Sequence, residues 1–106
     1  MTGKRHKFQI YFQILDEIQR DYLTEGTVKP AHVSYKVGVP YVRLKRYLEE
    51  MEKIDIIDET LRITEKGERF LFEYGRMMDF LSRMGMLKFN IPLEISIKLV
   101  QTTSLN

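Results

Sequence analysis

Arg43, Lys45 and Arg46 stand in one four-residue stretch, directly after Tyr41 and Val42. Such a set can bond anions and base edges. Arg is the favoured bidentate partner of guanine, Lys bonds guanine or phosphate, and Tyr bonds phosphate or packs on thymine methyls. Residues 26–48 hold five basic side chains (Lys29, Lys36, Arg43, Lys45, Arg46) and no acidic one. The chain has 17 Lys and Arg against 15 Asp and Glu in 106 residues, which leaves 12 basic against 15 acidic outside this window. Positive charge is therefore concentrated in one short segment. Residues 49–59 reverse the sign, with six acids (Glu49, Glu50, Glu52, Asp55, Asp58, Glu59) against Lys53. Acids repel phosphate, so these are expected to turn away from a bound duplex. The competing reading is a solvated helix face, because Lys45 and Glu49, and Arg46 and Glu50, stand at i,i+4.

Other chemistries have little material. His6 and His32 are the two histidines, neither at metal-ligand spacing with another His, and the chain has no Cys. The carboxylates form no constellation, and Tyr11, Tyr22, Tyr35, Tyr41, Tyr47 and Tyr74 read as half-buried packing. There is no phosphate-binding loop and no nucleophile elbow. The expectation is a non-enzyme with no cofactor, no metal ligands and no evident small-molecule ligand. No apolar run approaches the roughly 20 residues that span a bilayer. The basic Met1–Lys7 segment leads into Gln-broken apolar sequence and an acidic helix, unlike a secretory signal. A cytoplasmic, nucleoid-associated location is the corresponding expectation.

The elements that must position the basic set are legible from periodicity. Phe8, Tyr11, Phe12, Leu15, Ile18, Tyr22 and Leu23 recur at helical spacing, with Asp16, Glu17, Arg20 and Asp21 opposite, and Gly26 is a natural stop. Ile10 and Ile14 widen this apolar stripe. A short helix is predicted from Pro30 to Val37, then a tight turn at Gly38, where a positive φ is needed. A third helix opens at Pro40 and runs to about Lys53. Ser34 is the small residue where the two helices approach, and Val33, Val37, Val39, Leu44, Tyr47, Leu48 and Met51 lock the angle. Two short strands, Ile54–Ile57 and Leu61–Thr64, are predicted around an Asp58-Glu59-Thr60 connection. Thr64 then caps a last helix from about Glu65 to Met86.

Helix, helix, helix, strand, strand, helix is the order of a winged helix-turn-helix, a mainly α (α+β) fold of three helices and a short two-stranded wing. The predicted organisation is a flexible basic arm over 1–7, the winged helix-turn-helix over 8–66, and a C-terminal coiled-coil helix over 67–87. The tail 88–106 fits neither period, and its last residues are expected to be mobile. In the last helix, Phe70, Tyr74, Met77, Leu81 and Met84 follow steps of 4, 3, 4 and 3, a coiled-coil seam. A helix of that predicted length is about 33 Å long, more than the small domain covers, so pairing of two chains through the seam is expected. The alternative is intramolecular packing on the first helix.

Three pieces of the chain resemble small archaeal winged-helix proteins that act as transcriptional regulators or chromatin proteins. They are Val39-Pro40-Tyr41 with Arg46-Tyr47-Leu48, Ile54-Asp55-Ile56-Ile57, and Leu61-Arg62-Ile63-Thr64-Glu65-Lys66-Gly67-Glu68-Arg69-Phe70-Leu71. The resemblance covers about Ile10 to Met86. It implies a homodimer, paired antiparallel through the last helix, that binds double-stranded DNA. The short acidic wing and the tail depart from the family pattern. The expected DNA contacts are Tyr41, Val42, Arg43, Lys45 and Arg46 in or beside the major groove, with Lys36, Ser34, Thr60 and Arg62 toward the backbone. A sequence-tolerant architectural protein and a winged-helix protein-interaction adaptor are the alternatives.

Overall fold

The computed structural model describes residues 5–86. His6 opens α1 (Lys7–Glu25), its Nδ1 accepting the Phe8 N–H at 3.1 Å. Gly26 closes it in the left-handed region, with its N–H on the Tyr22 carbonyl. Pro30 supplies the first residue of α2 (Pro30–Val37), where its missing N–H would have no helical partner anyway. Gly38 at φ 74° ends α2 and turns the chain toward α3 (Tyr41–Lys53). All three helices lie where the sequence places them.

The core is a single cluster with α1 at its centre. Ile10, Tyr11, Ile14, Leu15 and Ile18 of α1 meet Val33 of α2, Val39 of the turn, Leu44 and Met51 of α3, and Ile56 and Ile57. Val37, Tyr47 and Leu48 pack half-buried against it, so the predicted locking positions all face inward. Burial of each large apolar side chain contributes about 1.5–3 kcal/mol, so this one cluster fixes the angle between α2 and α3.

The predicted two-stranded wing is reduced to one antiparallel bridge, Ile57 to Ile63, and no strand occurs among the described residues. Helix ends crowd the ladder from both sides. α3 stops in a Schellman arrangement: Asp55, at φ 66°, donates to Glu52, and Ile56 donates to Met51. On the other side Thr64 already caps α4 (Glu65–Arg83), its Oγ1 accepting the Gly67 N–H at 3.0 Å and donating to the Asp55 carbonyl. Asp58 closes the loop between, accepting the N–H groups of Thr60 and Arg62 and the Thr60 hydroxyl. These bonds hold the Asp58 carboxyl below the usual carboxylate range.

α4 packs on α1 through aromatic rings, with Phe70 against Phe8 and Tyr74 against Phe12. It ends three residues before the predicted Met86, because Gly85 enters the left-handed region at φ 74°. The arm is not wholly free of the domain. Arg5 Nη1 donates to Gln13 Oε1 at 2.7 Å and to the Val37 carbonyl at 2.8 Å, and Nη2 reaches the Gly38 carbonyl. A cation thus sits on the carbonyl end of α2, where the helix dipole favours it. The tail 88–106 lies outside the described residues.

Candidate nucleic-acid interface

The helical period of α3 turns Leu44, Leu48 and Met51 to the core and leaves the other face to solvent. Tyr41 is 47% exposed and Val42 73%, and Arg43, Lys45 and Arg46 are exposed as well. Lys45 Nζ lies 5.8 Å from the centre of the Tyr41 ring, one turn back on the same face. The structure therefore brings all five predicted α3 residues onto the outer surface at the start of that helix. Lys36, at the end of α2, is exposed beside them in sequence.

The solvated-face reading pairs Lys45 with Glu49 and Arg46 with Glu50. Glu50 turns instead toward α1, where its Oε1 accepts the Tyr11 hydroxyl at 2.5 Å and lies 3.4 Å from Lys7 Nζ. The Tyr11 bond is the main reason the Glu50 carboxyl lies below its usual range. Desolvation opposes it, and the charges of Lys7 and Arg46 assist. Burial and the neighbouring carboxylate push the Tyr11 phenol far up, so that bond is made by a neutral hydroxyl at any ordinary pH. Among the described residues, no carboxylate lies within 4 Å of Arg43, Lys45 or Arg46.

The remaining predicted contacts are more committed inside the domain. Ser34 Oγ donates to the Val39 carbonyl at 2.5 Å while Val39 and Gly38 donate to the Ser34 carbonyl, a reciprocal lock on the turn. Thr60 donates to Asp58, and its carbonyl accepts the Tyr22 hydroxyl. The Arg62 guanidinium stacks 5.1 Å from the Tyr22 ring. Asp58, expected to be a repulsive acid at the wing tip, is the residue that shapes the wing.

The five seam residues of α4 are divided. Tyr74 and Leu81 are buried, and burial raises the Tyr74 phenol. Phe70 is half-buried against Phe8, Met77 is half-buried, and Met84, just past the helix, is 62% exposed. Phe72, outside the seam, is also 62% exposed.

Two features escape the sequence pattern. Arg5 pins the helix-turn-helix to α1, and nothing in a basic terminal run marks it for that role. Glu17 and Asp21, expected on the solvent face of α1, are 7% and 2% exposed. Asp21 Oδ2 is 3.0 Å from His32 Nδ1 of α2, which covers that side of α1. Burial and the adjacent Asp21 raise the Glu17 carboxyl. Burial also acts upward on Asp21, but the hydrogen bonds from His32 and Glu17 outweigh it and leave Asp21 lowered. The one signal for this cluster in the sequence is the i,i+4 spacing of two acids beside an unusually wide apolar stripe.

Comparison with curated proteins gives no match, and comparison with solved structures gives none either. The winged helix-turn-helix family matches residues 4–82, a span that takes in α1 to α3, the short wing, Arg5 and all of α4 but its last residue. With most of the chain inside that match and the helix-turn-helix built as described, the protein belongs to the winged helix-turn-helix family.

Proposed function

We propose that the protein is a homodimeric double-stranded DNA-binding protein, acting as a transcriptional regulator that reads the major groove with α3. The observation that carries this reading is the exposed Arg43, Lys45 and Arg46 set, with no carboxylate of the described residues within 4 Å of any of the three. An α-helix fits the major groove, and its N-terminal turns reach base edges. Tyr41, Val42, Lys45 and Arg46 face the bases, Arg43 flanks them, and Lys36 and Arg62 bond phosphates. Ser34 and Thr60 drop out of the contact set, because their hydroxyl protons are held by Val39 and Asp58. Such a role belongs in the cytoplasm, at the nucleoid. No described helix is long and apolar enough to cross a membrane.

Selection from a random DNA pool with the full chain tests this. The expected result is enrichment of one short half-site, present twice and separated by about 10–10.5 base pairs or a multiple of that. Retention without sequence enrichment would instead mean an architectural protein, and no retention at near-physiological salt a protein-interaction adaptor.

The dimer is proposed through the distal part of α4. Ring contacts to α1 end at Tyr74, Phe72 and Met84 keep exposed apolar surface beside and beyond them, and Met77 is half-buried. A two-fold pair would present two copies of α3 to paired half-sites. Light scattering at micromolar concentration is expected to give twice the mass of one chain. A single-chain mass would remove the dimer and, with it, the paired half-site.

A further inference from the structure

Glu17 and Asp21 sit one helical turn apart on α1, so their carboxylates share a face, and α2 places His32 over both. His32 Nδ1 is 3.0 Å from Asp21 Oδ2 and 4.0 Å from Glu17 Oε2, and one ligand atom from each residue lies within 4.8 Å of the others. We infer that these three side chains form a site for one divalent transition-metal ion of the zinc class, clamping α1 to α2.

The spacing suits such an ion. Bonds of about 2.0–2.2 Å to imidazole nitrogen and carboxylate oxygen hold donors roughly 3–4 Å apart. A second observation points the same way. The Glu17 side chain is only 9% exposed. Among the described residues, no hydrogen-bond donor reaches it from outside the cluster. Arg20, the nearest cation on the same helix, is engaged with Asp16 at 2.8 Å. Two carboxylates buried side by side are unfavourable unless a proton or a cation lies between them, and the Glu17–Asp21 hydrogen bond marks the place an ion would take. His32 is 43% exposed and lies at a cleft that it lines with Asp21, Glu25, Thr27 and Lys29, which gives an ion a way in and room for water ligands.

One imidazole with two carboxylates selects zinc, cobalt, nickel or manganese over calcium and magnesium, which prefer all-oxygen shells. Three protein ligands leave at least one coordination position open. The ion joins the central helix of the core to the first helix of the helix-turn-helix, and it does so whether or not α3 binds DNA.

The test is calorimetric titration of the full, untagged, chelator-treated chain with zinc chloride, repeated with cobalt(II) chloride followed by visible absorption. Expected is one ion per chain with a Kd on the order of 1 µM or tighter, and a melting temperature that rises with zinc. His32→Ala and Glu17→Gln should each weaken binding about tenfold or more, whereas His6→Ala should leave it unchanged. Glu17→Gln is isosteric and removes a buried like charge, so its metal-free melting temperature should not fall and lost binding reads as a lost ligand. No saturation by about 1 mM zinc, or affinity unchanged in His32→Ala, would overturn the site.

Discussion

Arg46→Ala is expected to weaken double-stranded DNA binding by about 1–3 kcal/mol, roughly 5- to 150-fold, without lowering the melting temperature of the protein. The two halves of that expectation have one structural cause. Arg46 lies on the exposed face of α3, and its i+4 neighbour Glu50 is held by Tyr11 and Lys7. Truncating a surface side chain with no ion pair or hydrogen bond changes stability by no more than about 0.5 kcal/mol. Binding is different, because a cation with no carboxylate in ion-pair range is available to a base edge or a phosphate. The manner of the loss separates those two. If Arg46 reads a guanine, affinity falls most on the selected sequence and specificity relaxes at one position. If it bonds phosphate, affinity falls uniformly and the slope of log affinity against log salt flattens by about 1. Fluorescence titration at several salt concentrations, on the selected site and on unrelated duplex, reads both. Unchanged affinity together with an unchanged salt slope would sink the assignment of α3 as the reading helix.

Features that rest on local chemistry are legible in the sequence itself. Gly26, Pro30, Gly38 and Thr64 mark helix ends through their own backbone preferences, and each does so here. The wing departs from its expected form because two local signals compete within a few residues. Ile54–Ile57 and Leu61–Thr64 do alternate like strands. The Asp55–Ile56 helix ending and the Thr64 cap, however, take the backbone groups a longer ladder would need. Glu17, Asp21 and Glu50 depart from expectation for another reason. A carboxylate on a helix reads as solvated unless a distant element covers it, and only the packing of α2 and α3 on α1 brings His32 to Asp21 and Tyr11 to Glu50. The α4 seam shows the same limit. Its spacing suggests an apolar face, but spacing cannot say whether the face meets α1 or a second chain. Phe8 and Phe12 answer for Phe70 and Tyr74 and Leu81 is buried as well, while Met77 is half-buried and Met84 is exposed.

Gly67 ties the wing to α4, and Gly67→Ala is expected to destabilise the domain by about 2–3 kcal/mol. On propensity alone the sign would be the opposite, since replacing Gly by Ala inside a helix gains up to about 1 kcal/mol. The surroundings decide otherwise. An added Cβ would overlap the Ile56 carbonyl oxygen and sit 3.0 Å from its carbon and 2.8 Å from Ile63 Cγ2. The first two are backbone atoms, so no rotamer change relieves the contact. The start of α4 would have to lift from the wing, weakening the Thr64 N–H bond to Ile56 at 3.2 Å and the Thr64 cap on Gly67. Gly75, two turns further along the same helix, provides the comparison. A Cβ there would meet the Phe12 ring at 3.7 Å, an ordinary van der Waals distance. Gly75→Ala should therefore keep its propensity gain and stabilise by about 0.5–1 kcal/mol. Thermal unfolding of both variants reads the contrast, with Gly67→Ala melting roughly 10–20 °C below the parent and Gly75→Ala a few degrees above it. Equal shifts in the two variants, or a neutral Gly67→Ala, would mean that α4 does not approach Ile56 as closely as the fold requires.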